Sequence, residues 1–311
     1  MTVPAPPRHI LPPAALACLL FNAFVWGVSW WPFRRLDALG LHSLWTTGFA
    51  FLLATVVITL WRPAAWLGLL RRPALLWLVL AAGATNVAFN WGVTIGEVVR
   101  VVLLFYLMPV WSLLLARWLL REPITGAALG RVALALTGAL IVLWRPGTGL
   151  PWPPALADWL GLAGGASFAL VNVLVRRHRD ASDESRALAM FAGGCVVASA
   201  MAATLASGGV IGPPPAPAWG WMAGSAALAI ALLAGNLALQ YGAARLPVAA
   251  TSVVMLSEVP FAALSSTWLG GEALAGRTIV GGLLILSATV LASLQTDRSP
   301  ARAAVSGGSP T

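Results

Sequence analysis

One carboxylate stands in the middle of an otherwise apolar stretch of the chain. Glu258, in the segment MLSEVPF, falls near the centre of the apolar run 247–269. Ionisable side chains inside the hydrocarbon are costly, and they mark functional sites by default. The nearby Pro260 removes a backbone donor and frees a carbonyl. Glu258 can therefore take up a proton or receive a substrate ammonium group. The alternative is a carboxyl that is protonated, or paired with a neighbouring helix, and only holds the helices together.

Amide side chains within the apolar runs form a second set of substrate-binding candidates: Asn22, Asn86, Asn90, Asn172, Asn236 and Gln240. Four of them form two pairs spaced i, i+4, which places both members of a pair on one face of a helix. Such a pair can hydrogen-bond a substrate at a gate. The alternative is adhesion between helices, worth about 0.6 kcal/mol per hydrogen bond in membrane bundles.

Aromatic residues deep in the runs form the third set: Trp26, Trp30, Trp91, Phe105, Tyr106, Trp111, Phe168 and Tyr241. Rings of this kind can line a cavity for an apolar or cationic substrate through burial and cation–π contact. Plain packing is the alternative for each of them.

An internal repeat connects these candidates. Asn86, Asn90 and Trp91 recur at a constant offset of 150 residues as Asn236, Gln240 and Tyr241. The openings of the two halves match at an offset of 142, where Trp26-Gly27 corresponds to Phe168-Ala169 and Arg34-Arg35 to Arg176-Arg177. The spacing indicates a tandem duplication.

Composition predicts a membrane protein. Only 9% of the residues are charged and 59% are hydrophobic, whereas soluble proteins carry about 25% charged residues. The net charge of +9 comes from nineteen basic residues, all Arg. Most lie at the ends of apolar runs, as topogenic charges do. No soluble stretch is long enough for a nucleic-acid groove.

Ten apolar runs are long enough to span a bilayer: 12–32, 43–61, 73–95, 98–120, 126–144, 157–176, 186–206, 217–242, 247–269 and 276–294. We therefore predict an all-α polytopic membrane protein. Five runs fall in each half, and an odd number inverts the second repeat relative to the first. The predicted divisions are 1–147 and 148–296 for the two five-helix repeats and 297–311 for a disordered cytoplasmic tail.

The arginines also predict orientation. Fourteen fall on the side of the termini and five on the other side, which places both termini in the cytoplasm. Glu122 and Glu272 follow runs four and nine and are expected to cap helices or to pair with Arg121 and Arg277 rather than to touch substrate.

Enzyme signatures are absent from the sequence. His9, His42 and His178 fall outside the apolar runs and show no metal-ligand spacing. Cys18 and Cys195 suggest neither a disulfide nor a metal site. No cofactor is expected. The expected partners are a small-molecule substrate and membrane lipid, with no nucleic acid, and the chain is expected to be a monomer or a homodimer.

Two five-helix halves, Trp26-Gly27 early in the first run, and a proline followed by a glutamate around runs four and nine resemble the EamA-type drug/metabolite transporter superfamily. The likeness covers about residues 12–294. In many relatives the glutamate directly precedes the proline of helix nine, whereas here Val259 intervenes and shifts the carboxylate by about 100° around the helix. The Trp-rich candidates look most like those of bacterial aromatic amino-acid exporters.

The resemblance implies a secondary transporter of the bacterial inner membrane that exports amino acids or similar small metabolites by alternating access. The central site would be formed by runs one, three, four, six, eight and nine, with runs five and ten as a scaffold or dimer surface. An exporter of drugs or quaternary cations is the alternative within transport. A structural membrane subunit or an enzyme is the alternative outside it.

Overall fold

The computed structural model describes residues 12–119, 121, 123–144, 153–178, 180–246 and 248–296. The predicted tail 297–311, the boundary between 147 and 148, and Glu122 lie outside these residues.

The described residues form α-helices and no strand. The helices are α1 (Pro13–Val28), α2 (Trp30–Ala38), α3 (Ser43–Trp61), α4 (Ala64–Leu70), α5 (Leu75–Ile95), α6 (Val98–Phe105), α7 (Met108–Leu119), α8 (Gly126–Leu143), α9 (Leu156–Arg177), α10 (Asp183–Ser207), α11 (Trp219–Ala243), α12 (Val248–Met255), α13 (Glu258–Gly270) and α14 (Gly276–Thr296).

Within the described part of the chain, nine helical segments are long and apolar enough to cross a membrane, with α1–α2 and α6–α7 each counted as one span. The ninth covers Val253–Gly270, and α14 follows it with a shorter apolar stretch, Gly276–Leu291. The chain is thus an all-α, multi-pass membrane protein, and α14 supplies the tenth predicted segment. The short helix α4 was not predicted. Its Ala65 and Leu69 are buried against Leu75 and Leu188.

Contacts between loops assign each connection to one of two ends of the bundle. Trp45 at the start of α3 donates to the carbonyl of Gly212 after α10, so both lie at what we call end one. Arg72 before α5 pairs with Asp180 before α10, at the opposite end two. The first half starts at end two and the second half at end one. The two halves are therefore inverted, as predicted.

Packing between the halves follows a two-fold relationship. The helix α5 packs on α9, and its equivalent α11 packs on α1. α3 packs on its own equivalent α10, and α8 packs on its own equivalent α14. Exchanging the halves converts these helix pairs into one another. The duplicated sequence therefore forms one interlocked bundle rather than two separate ones.

Among the described residues, three spans are interrupted, each close to a proline. The ring of a proline clashes with the carbonyl four residues earlier and ends the helix there. α1 ends at Val28 and α6 ends at Phe105, four residues before Pro32 and Pro109. For Pro260 the position four residues earlier is Leu256, and α12 ends one residue before it, at Met255. Each proline falls in the first turn of the next helix, where its missing N–H costs little.

α8 and α14 cross where two glycines meet. A Cβ on Gly138 would lie 2.5 Å from the carbonyl oxygen of Gly281, and a Cβ on Gly281 would lie 2.5 Å from that of Gly138. Small residues of this kind let membrane helices approach closely. Ile285 and Ala288 are fully buried on the same face of α14.

Gly138→Ala should force α8 and α14 apart and lower the free energy of unfolding by about 1 to 3 kcal/mol. Gly130→Ala on the same helix is the matched control, because no atom lies within 4 Å of the added Cβ. Thermal unfolding of both variants in detergent, followed by tryptophan fluorescence, measures the difference. Equal stability of the two variants would contradict the close crossing.

Candidate functional site

The interrupted fourth and ninth spans meet in the centre of the bundle. The hydroxyl of Tyr106, at the end of α6, donates to Oε2 of Glu258 at 2.9 Å. The same hydroxyl lies 3.4 Å from the carbonyl oxygen of Met255, the last residue of α12. Tyr106 is 5% exposed and Glu258 is 9% exposed. We call these three residues the junction.

Glu258 is the first residue of α13, and this position suits a carboxylate. The free N–H groups at a helix N-terminus carry a partial positive charge that stabilises a nearby negative one. At the offset of 150 the equivalent of Glu258 is Met108, the first residue of α7, and the equivalent of Tyr106 is Leu256. The backbone interruption is thus duplicated, whereas the polar pair occurs once.

The helix α1 approaches the junction through Gly27 and Asn22. A Cβ on Gly27 would lie 2.7 Å from the carbonyl oxygen of Glu258, so α1 and α13 touch through their backbones there. Asn22 is fully buried. Its amide nitrogen lies 3.6 Å from Sδ of Met255, and its Oδ1 has no hydrogen-bond partner among the described residues. An amide acceptor without a partner therefore lies beside the junction.

A cluster of aromatic rings adjoins the junction. Phe105 stands at the centre, with its ring centroid 5.1 Å from that of Phe89, 5.4 Å from that of Phe168 and 6.1 Å from that of Tyr106. Trp26 meets Phe89 edge-on at 6.0 Å. Trp26 and Phe168, which the repeat makes equivalent, are half-buried, so the rings from α1 and α9 keep accessible surface.

The candidates toward end one are largely closed in by protein. Trp30 is buried, and its indole N–H donates to Oγ of Ser265 at 2.9 Å. Asn90 is fully buried and donates to Oγ1 of Thr47 at 3.1 Å. Trp91 meets His42 edge-on at 5.5 Å.

His42 itself lies outside the spans. Its Nδ1 accepts from the N–H of Leu44 and caps α3. Partial burial lowers the pKa of His42, and the negative charge of Asp37 opposes that shift.

The candidates toward end two are more exposed. Gln240 donates to Oδ1 of Asn236 at 2.7 Å, so this pair bonds within itself. Tyr241 lies under the guanidinium of Arg245 at 3.6 Å from the ring centroid. Asn172 is exposed on α9. Asn86 does not belong to this group: it lies near the middle of α5 and is partly buried, and it donates to the carbonyl of Ala82 in its own helix.

The structure therefore brings Asn22, Trp26, Tyr106, Phe168 and Glu258 together around the junction. It places the remaining candidates toward the two ends, except for Asn86 near the middle of α5. The sequence analysis did not identify Phe89, Thr47 or Met255. Phe89 carries a signal, because it shares a helix face with Asn86 at a spacing of three residues. Thr47 and Met255 lie on other spans, and their contacts depend on how those spans pack.

A buried ion pair near end one was also not predicted as a pair. Nε of Arg100 lies 2.6 Å from Oδ1 of Asp158, and Nη2 lies 3.2 Å from Oδ2. Nη1 donates to the carbonyl of Val142 at 2.8 Å. These bonds join α6, α8 and α9. The sequence analysis counted Arg100 only among the charges that set orientation.

Comparison with known proteins adds the following findings. Residues 13–144 match the EamA-like transporter family. This segment contains α1 to α8, which is the first repeat. Fifteen chains of known structure match the protein. One of them, known from a crystal structure, has a TM-score of 0.58 and 18% identity over 93% of this chain and 99% of its own length. That likeness shows a shared fold. No curated protein matches the sequence.

Asp158→Asn should destabilise the protein strongly, because it leaves the Arg100 guanidinium buried with a neutral partner. Breaking a buried pair by removing one partner costs about 3 to 5 kcal/mol. The measurement is the midpoint of thermal unfolding of purified protein in detergent.

Asp180→Asn is the matched control. The Arg72 guanidinium, hydrogen-bonded to Asp180, lowers the pKa of that carboxyl below its usual range. The pair is solvent-exposed, and exposed pairs contribute little to stability. An equal loss of stability in the two variants would show that burial does not distinguish the two pairs.

Proposed function

We propose that the protein is an EamA-type secondary transporter that exports amino acids, including aromatic ones, or similar small metabolites across the bacterial inner membrane by alternating access. The observation that carries this proposal is the junction, where a buried carboxyl group meets a tyrosine between two inverted halves. The family match of residues 13–144 supports it independently.

The junction has the chemistry to bind an amine. A carboxylate can accept hydrogen bonds from an ammonium group, and charge-assisted bonds of this kind are stronger than neutral ones. The unpartnered Oδ1 of Asn22 supplies a further acceptor. A substrate amine would replace the hydroxyl of Tyr106 on Glu258, and Tyr106 could then donate to the carbonyl of Met255.

The ring cluster suits an aromatic or other apolar side chain. Trp26 and Phe168 approach from α1 and α9 and are half-buried. Aromatic pairs contribute about 0.5 to 1.5 kcal/mol beyond the area that they bury. An amine held at Glu258 would therefore place an aromatic side chain against these rings.

A proton can compete with the substrate for the same carboxyl. The helices that pack around α13 are chiefly α1, α2 and α6. α1 contributes Asn22 and α6 contributes Tyr106, while the charges of α2 lie toward end one, where Arg34 pairs with Glu272. Glu258 is thus the group in the junction that can bind either a proton or an ammonium substrate, but not both at once. In this mechanism, protonation of Glu258 releases the amine.

The orientation follows from the distribution of arginine. End two carries most of the basic residues, so we assign it to the cytoplasm. End one then faces the periplasm, and export runs from end two to end one.

Liposomes reconstituted with the protein should take up labelled tryptophan, and other amino acids should compete with it. Competition chiefly by organic cations would favour a drug exporter, for which the carboxylate and the ring cluster provide cation–π binding. No uptake of tryptophan, with uptake of another metabolite, would remove the aromatic preference.

Glu258→Gln should abolish the dependence of transport on a pH gradient, because an amide cannot take up and release a proton. The measurement is the rate of uptake at a series of internal and external pH values. Glu184→Gln is the control, since Glu184 is exposed beside Arg62 at end two. If Glu258→Gln retains both the rate and the pH dependence, the coupling role of Glu258 is wrong and facilitated diffusion is the better mechanism.

A further inference from the structure

An ion pair joins the two halves at end one. Nη2 of Arg34, on α2, lies 2.8 Å from Oε1 of Glu272, which follows α13. Their side chains are 27% and 18% exposed, so the pair is partly shielded from water. The sequence analysis expected Glu272 to cap a helix or to pair with its neighbour Arg277. Glu272 does cap the start of α6, but its ion-pair partner is Arg34 from the opposite half. We call this pair the latch.

Both members of the latch also hold helix ends. Nε of Arg34 lies 3.2 Å from the carbonyl oxygens of Val93 and Thr94, and Nη2 lies 2.5 Å from that of Gly96. These carbonyls end α5, where a positive charge is favourable. Oε2 of Glu272 accepts from the N–H of Val98 at 3.0 Å, at the start of α6, where a negative charge is favourable.

Contact with an aromatic ring holds the Arg34 side chain of the latch in place. The guanidinium of Arg34 lies over the ring of Trp30 at 4.8 Å. The indole of Trp30 bonds to Ser265 of α13. The latch therefore ties α2, α5 and α6 of the first half to the segment around α13 of the second.

Equivalent positions of the two halves differ in burial. Asn90 is fully buried, whereas Gln240 is exposed. Thr94 is 9% exposed, whereas Ala244 is exposed. All eight residues of α6 are buried. In contrast, every side chain of α12 that the structure describes is at least partly exposed. In each case the position toward end one is the more buried.

Helix packing differs in the same direction. At end one, α6 packs against α13. In the other half, α12 is equivalent to α6 and α7 is equivalent to α13. Among the described residues, α12 and α7 do not pack against each other as α6 and α13 do. No described residue of α7 is fully buried. End one is thus the closed end of this conformation.

We propose that Arg34 and Glu272 are the gating residues that hold end one closed, and that their separation opens the central site to that end. The inference rests on the proposed transport function, because a gate has meaning only in a protein that moves a solute. The latch forms only in the conformation that is closed at end one. Removing it therefore shifts the population toward the conformation that is open at end one.

The test compares the chemical accessibility of two equivalent positions. Thr94→Cys reports on end one and Ala244→Cys reports on end two, each in a background in which Cys18 and Cys195 are replaced by alanine. The protein is placed in lipid nanodiscs, where a water-soluble maleimide reaches both faces whatever the orientation. Glu272→Gln and Arg34→Gln then remove each charge in turn. Glutamine at 272 retains an acceptor for Val98.

Either latch variant should raise the rate of labelling at Thr94→Cys by about tenfold, the factor that removal of one charge-assisted hydrogen bond gives. Labelling at Ala244→Cys should fall at the same time, because closure of end two accompanies the opening of end one. The double variant should label like the single ones, since the second substitution removes an interaction that the first has already broken.

Arg35→Gln is the matched control for removal of a positive charge on the same helix. Arg35 stacks on Trp31 at 5.3 Å and is exposed. With Arg35→Gln, the labelling rates at Thr94→Cys and Ala244→Cys should equal those measured without that substitution. Elution of each variant as a single monodisperse species confirms folding. A variant that does not fold is replaced by the other latch variant.

Two outcomes would overturn the proposal. Unchanged labelling at Thr94→Cys would show that the latch does not close end one. Faster labelling at both positions would show that the pair only stabilises the fold. The assay uses no substrate, so its failure would leave the proposed transport function standing, and failure of tryptophan uptake would leave the labelling result unaffected.

Discussion

The rest of the structure depends on the need to shield from lipid the breaks near the middle of two spanning helices. In hydrocarbon, a backbone group without a partner costs several kcal/mol, so broken helices are tolerated only where protein or a water-filled cavity surrounds them. Pro109 and Pro260 interrupt the fourth and ninth spans near their middles. The protein places the two breaks against each other, and the hydroxyl of Tyr106 reaches both the carbonyl of Met255 and the carboxyl of Glu258. Gly27 then lets α1 close over the break.

The duplicated scaffold carries chemistry that is not duplicated. Helix ends, breaks and packing partners exchange between the halves, but Glu258 and Tyr106 correspond to Met108 and Leu256. Arg100 likewise corresponds to Ala250, so the buried ion pair with Asp158 fixes α6 and has no counterpart at α12. A two-fold scaffold allows two conformations related by exchange of the halves. In the proposed mechanism, a single asymmetric site would give both conformations the same binding group.

The unequal burial of equivalent positions links this scaffold to a mechanism. α6 is enclosed by α9, α13 and the latch, whereas α12 keeps exposed side chains. Under the proposed alternating-access mechanism such a difference describes one conformation, since equivalent residues would exchange environments when the halves exchange roles. The junction lies between the closed and the less closed end, where a bound solute would be exposed to one side at a time.

The amino-acid sequence by itself determined the membrane class, the duplicated topology and, through Pro260, the break beside Glu258. These depend on local properties, namely hydropathy, the period of the repeat and the steric demand of proline. It also identified Glu258, because an isolated carboxylate in an apolar run is visible without any neighbour. Only the tertiary structure paired Tyr106 with Glu258, Arg100 with Asp158 and Arg34 with Glu272. Their partners lie 152, 58 and 238 residues away along the chain. The spacing of residues in the sequence predicts which side chains share one face of a helix. Which other helix that face contacts depends on how all the spans pack together.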